Sequence, residues 1–227
     1  MKNINNKELF YNNISDVWAS KINNSETNKR LAVIFNGLLF IKELKGKKFL
    51  EIGCGLGYFS NKAFKMGAKV TGIDIGPKLV VVNKKLTPKG NFLVASASKL
   101  PFKDSSFDIV LSTEVIEHVD NQDKAIKEMF RVLKGGGTLV ITTPNRIFKP
   151  LFDFLSLIRV RPYHGNENWY YPWELKQKLQ KYGLIVEESY FNFFLINKFF
   201  NYFENIKYLK YLMINQGYKI TKSKKIK

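Results

Sequence analysis

Two groups of residues have the types and the spacing to do chemistry. The first is the run Glu51-Ile52-Gly53-Cys54-Gly55-Leu56-Gly57, followed by Asp74. Glycines so placed let the backbone turn sharply and come close to a ligand, with a helix N-terminus beyond them. A carboxylate at the end of the next strand accepts hydrogen bonds from a ribose diol. Together they predict a nucleoside ligand at the C-terminal edge of a parallel sheet. Two common nucleotide loops are excluded: a dinucleotide fingerprint needs glycine where Tyr58 stands, and a P-loop needs Gly-Lys-Ser/Thr, which is absent. The second group is Glu114, Glu117 and His118, spaced i, i+3, i+4, so that a helical turn would put all three on one face. An imidazole among carboxylates suits general-base work, and the same nitrogen and oxygen donors suit a divalent cation. Equally, Glu117 and His118 can anchor a helix start by hydrogen bonds. Cys54 is a small residue in a tight loop and is assigned no redox or nucleophilic part.

These residues need elements to hold them. Residues 28–44 place Leu31, Ile34, Phe35, Leu38 and Leu39 at helical spacing, ending at Gly46. Strands are expected at 47–52, 69–74, 91–96, 107–112, 138–143 and 184–190. Helices are expected at 58–66, 77–86, 122–133, where Gly135, Gly136 and Gly137 follow, and from Pro172, which suits a first helical turn. The strands are apolar runs without alternation. Alternating with helices, they predict an α/β fold: a doubly wound, mostly parallel sheet with helices on both faces.

The chain has 227 residues, 45% of them hydrophobic, which excludes wholesale disorder and suits one domain with a substantial core. The expected organisation is a single domain over 1–227: a helical cap (1–45), a core (46–145), a variable insertion or lid (146–171) and a C-terminal helix–strand part (172–227). One cysteine excludes a disulfide framework and suits a reducing compartment, so a cytoplasmic location is expected. No apolar run is long enough to span a bilayer. The net charge is +18 and almost all lysine, thirty-two against five arginines, as an AT-rich genome produces without selection for binding. It also suits nucleic acid. No acid follows Glu204, whereas Lys207, Lys210, Lys219, Lys222, Lys224, Lys225 and Lys227 do.

The ordered motifs E-x-G-C-G-x-G, Asp74, LPFKDSSFDIV (100–110), EVIEHV (114–119) and RVLKGGGTLVITTPN (131–145) resemble the class I S-adenosylmethionine (SAM)-dependent methyltransferases, type 11 group. ISDVW (14–18), RLAVI (30–34), GAKVTGIDIG (67–76) and TPNR (143–146) are similar to the ubiquinone-biosynthesis O-methyltransferases. The resemblance implies SAM as cofactor. It places Gly53 under the methionine part, Asp74 on the ribose, and Arg30 and Thr113 in contact with the cofactor. A guanidinium at Arg30 suits the SAM carboxylate. Ile75 would pack on the adenine, with Ser96 and Ala97 at its edge; Ser96 departs from the family's usual Asp. Glu51, Cys54, Gly55 and Gly57 complete the expected cofactor set. Glu114, Glu117 and His118 form the expected catalytic set, and the E-x-x-E-H run in quinone O-methyltransferases implies metal-assisted proton removal.

The acceptor implied is a small-molecule or lipid-linked hydroxyl. RNA (tRNA) methylation and methylation of a sugar or glycan remain the alternatives. In 146–165, Phe148, Leu151, Phe152, Leu155 and Ile158 follow helical spacing, with Phe154 and Leu157 widening the face and Arg146, Lys149, Arg159 and Arg161 flanking it. That composition suits a helix lying in a membrane interface. The aromatic stretch 190–214 suits the same role, the core, or a homodimer face. A peripheral position at the inner face of the membrane is therefore part of the expectation. His164, within the insertion, reads as a surface-loop or lid residue.

Overall fold

The computed structural model describes residues 24–39, 41–158, 167–193 and 210–224. The chain begins with helix α1 (Asn24–Ala32), a π-helical turn (Val33–Leu38) and the short α2 (Ile41–Leu44). The alternating core follows: β1 (Lys48–Ile52), α3 (Tyr58–Lys65), β2 (Lys69–Asp74), α4 (Pro77–Leu86), β3 (Asn91–Val94), β4 (Phe107–Thr113), α5 (Gln122–Val132) and β5 (Leu133–Pro144). Then come α6 (Lys149–Leu157), α7 (Pro172–Gln180), β6 (Gly183–Phe193) and β7 (Met213–Lys222).

The seven strands form one sheet in the order β3-β2-β1-β4-β5-β7-β6. Strands β1 to β5 run parallel, and β7 lies antiparallel between β5 and β6. The apolar runs have the reason expected of them: four of the five residues of β1, and all but one of β4, are buried. One face packs Leu50, Ile52, Val110, Leu139 and Ile141 against Ala125, Ile126, Met129 and Phe130 of α5 and Leu175 and Leu179 of α7. The other packs Phe49, Ile109, Leu111 and Val140 against Ile34, Phe35 and Leu38 and against Phe59 and Ala63 of α3. Asn121 caps α5 by accepting the Lys124 N–H at 2.9 Å.

Several expectations change. The single helix over 28–44 is broken. The Leu39 N–H reaches back to the Ile34 carbonyl at 2.6 Å, Leu39 itself is extended, and a new turn starts at Ile41. Ile34, Phe35, Leu38 and Leu39 are all buried, so the apolar face read from the sequence survives the break. Strand β5 begins at Leu133, so the three glycines lie within it.

Strand β7 was not expected at all, and it recasts the basic C-terminus. Lys219 is buried and pairs with Glu43 at 3.1 Å, and Lys222 donates to the carbonyls of Phe130 and Leu133. These two lysines hold the sheet together and are not part of a free cationic tail. In the insertion, Phe148, Leu151, Phe152 and Leu155 are half-buried, with Phe152 edge-on to Trp169. Phe154, Leu157 and Ile158 are exposed. Tyr190 and Phe191 are buried core residues. Residues 14–18, Arg159, Arg161, His164 and residues 194–209 lie outside the described residues.

Candidate active site

The C-terminal ends of β1, β2 and β4 open onto a cavity of about 530 Å³. Its floor is the glycine loop, whose shape the sequence compels. Gly53 has φ +72°, and a Cβ there would lie 2.3 Å from Val115 Cγ2. Gly57 has φ +86°, and a Cβ there would meet the Asn83 amide oxygen at 2.6 Å. Both positions therefore demand glycine on two counts, backbone and space. Asn83 also ties the loop down by donating to the Gly55 carbonyl at 2.7 Å.

Asp74 organises the loop's far side. One carboxylate oxygen accepts the Gly76 N–H and the other the Gly55 N–H, each at 2.9 Å. Burial raises its pKa, and these N–H donors work against that rise. Below the loop, Glu51 is fully buried and accepts a hydrogen bond from the Ser60 hydroxyl. Burial pushes its pKa up to about 8, so it is a protonated strut at neutral pH. Burial likewise pushes the Cys54 thiol up, which leaves it unreactive as the sequence suggested.

Every residue expected to touch the cofactor lines this one cavity. Glu51, Gly53, Cys54, Gly55 and Gly57 come from β1 and its loop, Asp74 and Ile75 from β2. Ser96 and Ala97 follow β3, Thr113 ends β4, and Arg30 reaches in from α1. Arg30 pairs with Glu26 at 3.6 Å, while its Nε is buried without a hydrogen-bond partner. An orphaned guanidinium N–H at a cavity wall is what an anionic group of a ligand would satisfy. Thr27, Tyr58, Ser98, Asp120, Asn121 and Lys124 also line the cavity and were not singled out from the sequence. Tyr58 fills the very position that excluded a dinucleotide loop, the one signal that pointed to it.

The acidic trio is arranged differently from the expected helical face. Glu114 sits in the left-handed region, φ +52°, and only Ile116–His118 form a single 3₁₀ turn. The i, i+3, i+4 rule therefore does not apply, since it needs helical backbone throughout. Glu114 and His118 line the cavity; Glu117 is buried beneath it. Glu114 accepts hydrogen bonds from the Thr142 hydroxyl at 2.9 Å and the Asn215 amide at 2.8 Å, and Glu117 accepts one from the Thr143 hydroxyl at 3.0 Å. Burial pushes Glu114 up to about 7 despite the opposing Arg30 charge. Burial, then the Glu114 charge, pushes Glu117 well above the carboxylate range. The His118 ring lies between Glu117 and Glu167, at 3.8 and 3.9 Å. With the carboxylates turned to different partners, the trio does not converge, and among the described residues no three His, Cys, Asp or Glu groups are placed to hold a metal ion.

Residues 50–141 match the type 11 methyltransferase domain family. The chain carries a methyltransferase domain. Its relatives are methyltransferases by name, some of them S-adenosylmethionine-dependent. A probable S-adenosylmethionine-dependent methyltransferase of Mycolicibacterium smegmatis is 33% identical over 145 residues, covering 63% of this chain and 54% of that protein. A ubiquinone biosynthesis O-methyltransferase of Pelagibacter ubique is 40% identical over 112 residues, covering 48% and 46%. The chain thus spans about half the length of the curated relatives it matches. The fold is shared with the magnesium protoporphyrin IX methyltransferase of Synechocystis, solved with bound SAH: TM-score 0.71 at 14% identity, over 96% of this chain and 98% of that one. The methyltransferase domain is therefore the class I α/β fold, and its matched span runs from the middle of β1 into β5. No helix among the described residues is long and apolar enough to cross a membrane.

Proposed function

We propose that this chain transfers the methyl group of SAM to a hydroxyl of a small-molecule or lipid-linked, quinone-like acceptor. The observation that carries the reading is the single cavity in which the glycine loop, Asp74, Arg30, Glu114 and His118 meet. The residues fit the cofactor. Each Asp74 oxygen keeps a lone pair for a ribose hydroxyl beyond the one spent on the loop. Arg30 Nε suits the methionine carboxylate, and Ile75 and Ala97 give the adenine an apolar seat. Glu114 and Asp74 supply negative potential for a ligand whose ammonium and sulfonium outnumber its one carboxylate. A cavity of about 530 Å³ lies within the usual range of small-molecule sites, roughly 300–1,000 Å³.

SAM supplies an electrophilic methyl on a sulfonium, ready for in-line displacement. The protein's work is to hold the acceptor, exclude water and remove a proton. His118, half-exposed to the cavity and flanked by Glu117 and Glu167, is the base for the acceptor hydroxyl. Glu114 holds its carboxylate at the same wall. The quinone-like acceptor is supported by the ubiquinone biosynthesis O-methyltransferase among the relatives. A lipid-linked form is supported by α6, where Phe154, Leu157 and Ile158 are exposed beside Arg146 and Lys149, a composition suited to an anionic membrane surface.

The test is to incubate the purified protein with methyl-labelled SAM and a host-cell extract, then partition the label. Label in the solvent-extractable fraction supports the quinone-like acceptor. Label in RNA, with binding that weakens steeply as salt rises, overturns it in favour of tRNA methylation, and label in aqueous sugars overturns it in favour of a glycan acceptor.

A further inference from the structure

Glu114 is held from a distance of 101 residues along the chain. Its two carboxylate oxygens take one donor each, the Thr142 hydroxyl from β5 and the Asn215 side-chain amide from β7. Asn215 is buried, and its amide oxygen accepts the Asn192 side-chain N–H at 2.8 Å. An ionised carboxylate only accepts, so the Asn215 NH₂ must face it and the Asn215 oxygen must face away, where Asn192 meets it. The donors run one way, from Asn192 to Asn215 to Glu114. Both ends of this chain are strained. Glu114 has φ +52° and Asn192 φ +61°, two of three non-glycine residues with positive φ among those described. Such strain persists where the surroundings over-determine it, and it concentrates at functional sites.

We propose that Asn215 is a positioning residue: it fixes the Glu114 carboxylate at the cavity wall in its ionised form, and Asn192 fixes the orientation of Asn215. The functional consequence rests on the SAM-binding reading above; the positioning itself does not. Besides Thr142 and Asn215, the charged groups acting on Glu114 are Arg30 and Glu26 from α1, Glu167 from the segment before α7, and Glu117 in its own turn, with His118 beside Glu117. Arg30 favours the anion, whereas the three glutamates and burial oppose it. With acid and anion this nearly balanced, one donated hydrogen bond decides the protonation state near neutrality.

The experiment follows the Glu114 carboxyl by carbon NMR in protein labelled at glutamate, the signal being assigned with Glu114→Gln. Asn215→Leu is expected to raise the midpoint by about one pH unit, the scale of one hydrogen bond to a charged group. Asn192→Gly, which relieves its own left-handed strain and so keeps the fold, is expected to raise it by less. An unchanged midpoint in either folded variant overturns the proposal. A second readout is SAM affinity against pH. In the natural protein it strengthens as Glu114 ionises. In Asn215→Leu the same rise is displaced to higher pH, and the affinity returns to within about threefold of the natural protein's once Glu114 has ionised. An affinity loss equal at every pH marks a merely structural residue and overturns the proposal. If no variant binds SAM while the midpoint still moves, the positioning stands and the cofactor reading falls.

Discussion

Asp74→Asn tests the cofactor site with the least change in shape. In the native loop both Asp74 oxygens accept backbone N–H groups, from Gly55 and Gly76, at 2.9 Å. Asparagine keeps one oxygen and turns an NH₂ toward the other N–H, so one charge-assisted bond is lost and a buried donor faces a donor. The lost bond is worth about 1.5–3 kcal/mol and the stranded N–H adds to it, giving about 2–4 kcal/mol against the closed loop. At about 1.4 kcal/mol per decade, SAM binding is expected to weaken by roughly 30- to 1,000-fold. Calorimetric titration of SAM into both proteins measures it. Circular dichroism, run in parallel, checks that the sheet remains, since Asp74 ends β2 without packing in either apolar cluster. Binding by Asp74→Asn within threefold of the natural protein would refute the argument that this carboxylate shapes the site.

Two further outcomes are expected. The unfolded chain releases the Glu51 proton near 4.5, whereas the folded protein holds it up to about pH 8. The folded state therefore binds more protons across that window, and the stability Glu51 contributes is full below it and lost as pH climbs through it. Glu51→Gln, which still accepts from Ser60, is expected to gain on the natural protein by about 3 kcal/mol between pH 4.5 and 7, an upper figure from 1.36 kcal/mol per unit. Urea unfolding at several pH values measures the gain, and parallel pH slopes for the two proteins count against a buried, protonated Glu51. His118→Ala is expected to bind SAM within about threefold while methyl transfer to the labelled fraction falls by roughly 10²–10⁴-fold, the usual share of a general base; an undiminished rate removes His118 from the chemistry.

The parts of the site legible in the sequence are those fixed by local backbone. The glycine loop announces itself because Gly53 and Gly57 must take positive φ where a Cβ would collide. Asp74 is legible because a strand end at a set distance from that loop leaves it nowhere else to point. The trio was misread for the same reason: the i, i+3, i+4 pattern is a statement about helical backbone, and Glu114 is not helical. Strand β7 escaped because Asn215, Gln216, Gly217 and Lys219 interrupt its apolar residues and resemble a polar tail. Tertiary contacts make those polar groups burial-worthy: Gln216 donates to the Tyr170 carbonyl at 2.9 Å, and Lys219 meets Glu43. No local pattern encodes partners so far away in sequence, and Asn215 and Glu167 were missed on that account.

The same long-range contacts change what the net charge means. Around a single cavity this chain, at +18, gathers Glu51, Asp74, Glu114 and Glu117, three of them buried and the fourth half-buried at the wall. Burial pushes all four toward the protonated form, and each is held by donors aimed at its oxygens: Ser60, the Gly55 and Gly76 amides, Thr142 with Asn215, and Thr143. Enclosing so many acids costs stability that an apolar wall would not. Glu51 is protonated at neutral pH and Glu117 is driven the same way. The negative potential at the wall therefore comes from Asp74 and from Glu114 as it ionises, an arrangement that favours a cation at the site whatever the outer surface attracts. The lysines at the C-terminus are therefore a poor guide to the ligand. Lys219 and Lys222 are spent on the sheet, whereas Glu51, Asp74 and Glu114 line the place where binding happens.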